Sequence, residues 1–243
     1  MSLAGIGLLW ELTGRWSNSL LLPSASETIS ALVHLATTPL FWHALWASNQ
    51  ALLVGFPLAA AAGVAGGLAL ARWQTVDRWL DVYVELLLVI PKSAVMPLVV
   101  MTLGFGLTPR ALVVFIFAFP VIVVTVRSGV RQVDQRLLSM ARAFCASEAQ
   151  IWRRVLVPGA RPAVMTALRL GIARAVAGMV TVELLLVAVG VGQLILRFRA
   201  DFDAGSVYAM VLVVVAEAVV LIRLAGLLER RWGGLAEAGT IAG

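Results

Sequence analysis

Cysteine occurs once in the 243 residues, at Cys145, lysine once, at Lys92, and histidine twice. A single cysteine excludes a disulfide framework within the chain and any cysteine-based metal cluster. His34 and His43 have no carboxylate or cysteine joining them in a ligand set, so they read as interfacial packing residues and not as a metal pair. The lone lysine follows Pro91 inside an apolar run, so no Gly-x-x-x-x-Gly-Lys-Ser/Thr phosphate loop exists in the sequence. No HExxH, no paired aspartates at metal spacing and no Ser/His arrangement lies in the apolar segments, which argues against a membrane-embedded enzyme. The opening MSLAGIGLLWELTGRW lacks the basic region and cleavage site of a signal peptide. It reads as a short first membrane segment interrupted by Glu11 and Arg15. Charge is also scarce, at 13% of residues against about 25% in soluble domains.

What is present is hydrophobic length. The composition is 61% hydrophobic and the mean hydropathy is +0.96, which marks a membrane protein. A formal charge of +6 could suggest nucleic acid, but the basic residues collect between apolar runs and form no single face. Crossing about 30 Å of hydrocarbon takes about 20 apolar residues. Ala44–Ala71, Val82–Leu103, Ala111–Val126, Pro162–Val189 and Val207–Leu228 meet or approach that. With the N-terminal segment they give an all-α, polytopic chain of about six spans, a single transmembrane domain over residues 1–243. Between the first two spans, Ser24 or Ser26 caps a short amphipathic helix that ends before Pro39. Ala59, Gly63 and Gly67 recur every four residues, the small-residue spacing that lets helix backbones approach in lipid.

Arginine placement sets the orientation. With both ends cytoplasmic, the inner side carries Arg72, Arg78, Arg127, Arg131, Arg136, Arg142, Arg153, Arg154, Arg161, Arg230 and Arg231. The outer side then carries only Arg110, Arg197 and Arg199. The polar interior stretch of about residues 130–161 is therefore cytoplasmic. Within it, Leu137, Leu138, Ala141, Phe144 and Cys145 share one helix face. Ser147 and Gln150 form a capping-box pattern that predicts a second short helix from Glu148, carrying Ile151, Trp152, Val155 and Leu156 until Pro158 stops it. An exposed apolar face needs a cover, either the chain's own membrane domain or a partner that takes the helix in a groove.

The segment SMARAFCASEAQIWRRVLVPGARPA is similar to the cytoplasmic loop of binding-protein-dependent ABC importer permeases, whose pattern is EAA, three residues, Gly, nine residues, Ile-x-Leu-Pro. The pattern falls on Ser139, Met140 and Ala141, on Cys145, and on Val155, Val157 and Pro158, so the Glu, the second Ala and the Gly are replaced. Glycine at such a knuckle supplies positive φ or room for a neighbour; Cys145 argues against the first and strains the second. LLPSASE, LDVYVELLLVIPKSAVMPLVVMTLGFGLTPR, SGVRQVDQRLLSMARAF, LRLGIARAVAGMVTVELL and GVGQLILRFRADFDAGSVYA resemble the nitrate, sulfonate and taurine branch of that family. The resemblance implies a bacterial inner-membrane permease half that dimerises with a second copy and binds no cofactor itself. Cytoplasmic ATPase subunits carrying ATP and Mg would dock through Ala141, Phe144, Cys145, Ala146, Ser147, Glu148 and Pro158. An extracytoplasmic solute-binding protein would deliver the solute.

Charges inside the apolar runs complete the reading. Lys92 at mid-span should face a cavity or a carboxylate. Glu85 lies two turns earlier on nearly the same face, so Lys92 either contacts an anionic solute, with Pro91 opening the helix, or pairs with Glu85 or another helix. Glu183 lies where the family commonly carries an acid and either shapes a gate or dimer seam or makes a plain interhelical hydrogen bond. Arg197, Arg199 and Asp201 in the last outer loop suit a salt-sensitive contact with a binding protein, or are simply solvated. The solute is expected to be a small organic anion such as a sulfonate or aromatic carboxylate. The alternative is a self-contained secondary transporter or channel using Glu85, Lys92 and Glu183.

Overall fold

The structure, a computed structural model, describes residues 3–17, 21–186 and 189–233. The chain ends on which the orientation bears, and Val187 and Ala188 of the fifth expected span, lie outside the described residues. The elements in order are α1 (Leu3–Ser17), α2 (Ala25–Ala36), α3 (Pro39–Arg72), α4 (Gln74–Val89), α5 (Lys92–Leu103) and α6 (Leu107–Arg131). Then follow α7 (Gln135–Ala143), α8 (Glu148–Ile151), a π turn (Trp152–Leu156), α9 (Val157–Gly159), α10 (Arg161–Leu185), α11 (Gly190–Ala200) and α12 (Ala204–Gly233). No strand occurs among the described residues.

Four helices, α3, α6, α10 and α12, are long and apolar enough to cross a membrane; α4 and α5 supply a fifth crossing only if taken together, bent by 92°. Among the described residues four to five candidate spans thus stand where about six were expected. Helix α1 has 15 residues, about 22 Å at 1.5 Å per residue, short of the hydrocarbon thickness. Its two charges neutralise one another: Arg15 Nε donates to Glu11 Oε1 over 2.6 Å. Glu11 also accepts from the backbone N–H and hydroxyl of Ser26, tying α1 to α2. Ser24 caps α2 in a full capping box with Glu27. Pro39, expected to terminate that helix region, occupies the first turn of α3, where a missing N–H costs nothing.

Helices α3, α6 and α10 make the centre, around Ala51, Ala59, Val114, Ala118, Ile122 and Met179. The small-residue stripe of α3 is the reason they pack closely. A Cβ on Gly63 would meet Ile122 at 2.7 Å and one on Gly67 would meet Val126 at 2.7 Å, whereas Gly66, off the stripe, has its nearest neighbour at 3.7 Å. Without a hydrophobic drive in lipid, such close van der Waals approach is the main source of helix adhesion. At the Arg131 end, Arg127 and Arg131 of α6 both pair with Asp77 of α4, and Arg127 also pairs with Asp81.

Candidate functional site

The polar interior stretch folds as two short helices meeting at a sharp turn. Asp134 caps α7 by accepting from the Arg136 amide at 2.8 Å. The helix ends in a Schellman motif: the Ala146 amide donates to the Ala141 carbonyl and the Cys145 amide to the Arg142 carbonyl. That motif requires a left-handed residue, and Cys145 adopts φ +53. The expectation that cysteine argues against positive φ is overturned, since the two capping hydrogen bonds hold the residue in the conformation that glycine would take without strain. Ser147 then caps α8, its hydroxyl accepting from Gln150 N–H while the Gln150 side chain accepts from Ser147 N–H.

Pro158 does not stop the second helix. The π turn widens the backbone, the Val157 amide reaching back to Trp152 O, and α9 continues through the proline. A proline ring normally clashes with the carbonyl four residues earlier, and π geometry relaxes that register. The two helices differ in cover. Ile151 is buried, Leu156 packs on Val130, Val133 and Ala160, and Arg72 sits over Trp152 at 5.6 Å, so the second helix rests on its own domain. Phe144, by contrast, is 80% exposed. Met140, Cys145, Ser147 and Glu148 are exposed beside it, with Ala141 and Ala146 half-buried. An apolar tip on a doubly capped turn is left uncovered.

At the Leu107 end of α6 a buried polar centre joins four helices. Glu183 of α10 is wholly buried; its Oε2 accepts from the Ser48 hydroxyl at 2.8 Å and from the Gly192 amide at 3.0 Å. Ser48 in turn accepts from the Val191 amide at 2.9 Å. The carboxylate thus caps the first turn of α11. Arg110 lies 3.7 Å from Glu183 Oε1 and donates to Ala47 O at 2.9 Å and Gly106 O at 3.0 Å. Gly190 has φ +66, and a Cβ there would meet Ser48 Oγ at 2.2 Å, so only glycine fits. Glu183 is therefore an internal tie and lines no open path in this structure. Arg110, counted above as an outer-loop charge, is buried. Ser48 and Arg110 were not legible as partners of Glu183, because they come from segments far apart in the chain, and Gly192, nine residues on, reaches it only through the link between α10 and α11.

Lys92 and Glu85 are not brought together. Ile90 is extended, as a residue before proline favours, and the 92° bend puts Glu85 on a different axis. Lys92 is the first residue of α5, its Nζ 5.8 Å from the Phe117 ring centroid. Arg197 and Arg199 are exposed in the last turn of α11, and Asp201 follows at its C-cap. His34 and His43 line separate depressions, His43 with Gln193 and Arg197. Among the described residues no group of three metal-ligating side chains is gathered.

Residues 55–234 match the family described as binding-protein-dependent transport system inner membrane component. The chain is 30% identical to the taurine transport system permease protein TauC of Escherichia coli, over 88% of this chain and 81% of that one. It is also 30% identical to the riboflavin transport system permease protein RibX of Chloroflexus aurantiacus, over 87% and 80%. A probable ABC transporter permease protein of Brucella melitensis is 27% identical, over 93% and 92%. Among solved structures, a chain of the inward-facing methionine ABC transporter MetNI superposes with a TM-score of 0.60 at 20% identity, over 80% of this chain and 96% of that one. An amino acid ABC transporter chain gives 0.63 at 19% identity, over 82% and 97%. The chain belongs to the binding-protein-dependent transport system inner membrane component family: it is the multi-pass, non-catalytic permease subunit of an ABC importer, which works with ATPase and solute-binding partners.

Proposed function

We propose that the chain imports a small organic anion, such as a sulfonate or aromatic carboxylate, as one of two identical copies, with both termini in the cytoplasm. The turn of Ala141, Phe144, Cys145, Ala146, Ser147 and Glu148, braced behind by Pro158, enters a groove on the ATPase subunit. The uncovered Phe144 carries this reading: an aromatic 80% exposed on a preorganised turn is the form of an anchor residue. Beside it Arg142 and Glu148 pair with one another at 3.9 Å across the turn, both largely exposed. Closure of the ATPase pair moves this turn. Because α8 and the π turn rest on α3 and α6 through Trp152 and Leu156, the motion passes to the spans.

At the other end, Arg197, Arg199 and Asp201 meet the solute-binding protein, and their mixed charge suits a transient contact. The support for an anion is Lys92, a lysine within a broken apolar crossing, together with similarity to a taurine permease. Glu85 is exposed on α4 and belongs to the same path. Glu183 serves it indirectly by fixing α11.

The test is Phe144→Asp beside Ala146→Asp. Phenylalanine buries about 150–250 Å² in a contact, which at about 25 cal/mol per Å² is about 4–6 kcal/mol. Both variants should insert normally yet lose the co-purifying ATPase and ATP-driven uptake. Normal uptake by both would remove the docking reading.

A further inference from the structure

Arg174 of α10 has no part in the reading above. It is exposed, takes part in no ion pair among those the described residues form, and sits inside a membrane-crossing helix. Its place is set by its own helix face. Gly178, one turn on, packs so closely on Phe117 that a Cβ would meet the ring at 2.7 Å. Val182, a further turn on, is buried among Met96, Val99 and Val100 of α5. The stripe Arg174, Gly178, Val182 therefore runs along α5 and ends beneath its first residue, Lys92, whose ammonium lies over the same Phe117. Arg174 stands one turn, about 6 Å along the axis at 1.5 Å per residue, from the glycine that packs on that ring.

Arg174 is far from either end of α10, and Lys92, though first in α5, lies over a ring that is far from either end of α6. Phe117 lies about 15 Å along α6 from Leu107, and Arg174 lies about 20 Å along α10 from Arg161, at 1.5 Å per residue. Two like charges held together at that depth repel, and hydrocarbon would solvate neither. The carboxylates at hand are engaged elsewhere, turned away or unpaired. Glu183 is closed on Ser48 and Gly192, Glu85 lies beyond the 92° bend, and Glu217 of α12, its two carboxylate oxygens buried and neither hydrogen-bonded, forms no ion pair among the described residues. An ammonium over one aromatic ring is only partly compensated. What the pair lacks is an anion.

We propose that Lys92 and Arg174 together form the mid-membrane site that holds the oxyanion group of the transported solute, a sulfonate or carboxylate, beside the ring of Phe117. The guanidinium supplies a planar fork for two oxygens and the ammonium a point charge. This deepens the import reading above by naming the group recognised and a residue, Arg174, that determines specificity.

The test uses thiol reagents of opposite charge on the full chain with its partner subunits in membrane vesicles. Lys92→Cys is treated with the sulfonate-bearing 2-sulfonatoethyl methanethiosulfonate and with its trimethylammonium counterpart, and modification at residue 92 is followed by mass spectrometry. The sulfonate reagent should react faster relative to the cationic one, and Arg174→Gln should lower that ratio about ten-fold. Arg174→Lys, which keeps the charge, should restore it. Failure of the sulfonate reagent to reach residue 92 from either side would overturn the proposal, as would a ratio indifferent to Arg174. Because labelling needs no ATP turnover, loss of ATPase coupling would count against the import reading and leave this result standing.

Discussion

Replacing Glu183 by alanine should release α11 from the bundle. Two hydrogen bonds to one buried carboxylate are lost, and Arg110, 6% exposed, is left without a counter-charge. Breaking a buried pair from one side costs about 3–5 kcal/mol, mostly as the desolvated charge that remains. Glu183→Gln keeps an oxygen for Ser48 and Gly192 and should cost about 1–3 kcal/mol, the worth of the charge assistance in a hydrogen bond. Helix α11 is the element held, so the change should appear as faster amide exchange over residues 190–200, by about a hundred-fold or more in the alanine variant at 1.4 kcal/mol per ten-fold. Hydrogen–deuterium exchange of the complex in nanodiscs resolves this, with α3 and α6 as internal references. Adding Arg110→Leu should recover part of the loss by removing the stranded charge, a coupling a double-mutant cycle measures. Exchange in α11 within two-fold of the parent, or loosening spread evenly over the bundle, would refute the assignment of Glu183 as the tie.

Gly63→Ala should destabilise by about 1–3 kcal/mol through overpacking against Ile122, while Gly66→Ala, which meets nothing closer than 3.7 Å, should melt like the parent in a thermal scan. Asp77→Asn removes the carboxylate shared by Arg127 and Arg131, leaving Arg127 only Asp81, and should loosen α4 selectively, read as faster exchange over residues 74–89 with α10 unchanged. Ser147→Ala removes the cap of α8, worth about 1 kcal/mol, and should weaken ATPase association about five-fold in a pull-down titration without affecting insertion.

What the sequence disclosed follows local rules. Ser147 with Gln150 is a capping box readable from spacing alone, and it formed; of the two serines offered as the cap of α2, Ser24 takes the place, with Glu27 completing its box. The small-residue stripe on α3 reported a real helix contact for the same reason: a period of four residues is a property of one helix. Failures arose where the outcome depends on a partner. Pro57, Pro97 and Pro120 lie inside continuous helices while Pro91 marks a 92° bend, so proline alone does not locate the break. Glu183 meets Ser48 across 135 residues, a distance no local pattern spans. Arg110 carried the look of a loop charge because only folding buries it. Cys145 concealed a left-handed residue, since the Schellman hydrogen bonds that hold it come from the backbone of α7 and not from its own type.

The claim that most needs testing is that the uncovered turn at Phe144 receives the power-supplying subunit. Cys145 is the sole cysteine and is exposed at that turn, so a maleimide carrying a photoreactive benzophenone can be attached there without altering the sequence. Illumination in native membranes should join the chain to an ATP-hydrolysing polypeptide, and Phe144→Asp should abolish the adduct. Adducts to lipid alone, or modification by an impermeant maleimide only from the extracytoplasmic face, would contradict it.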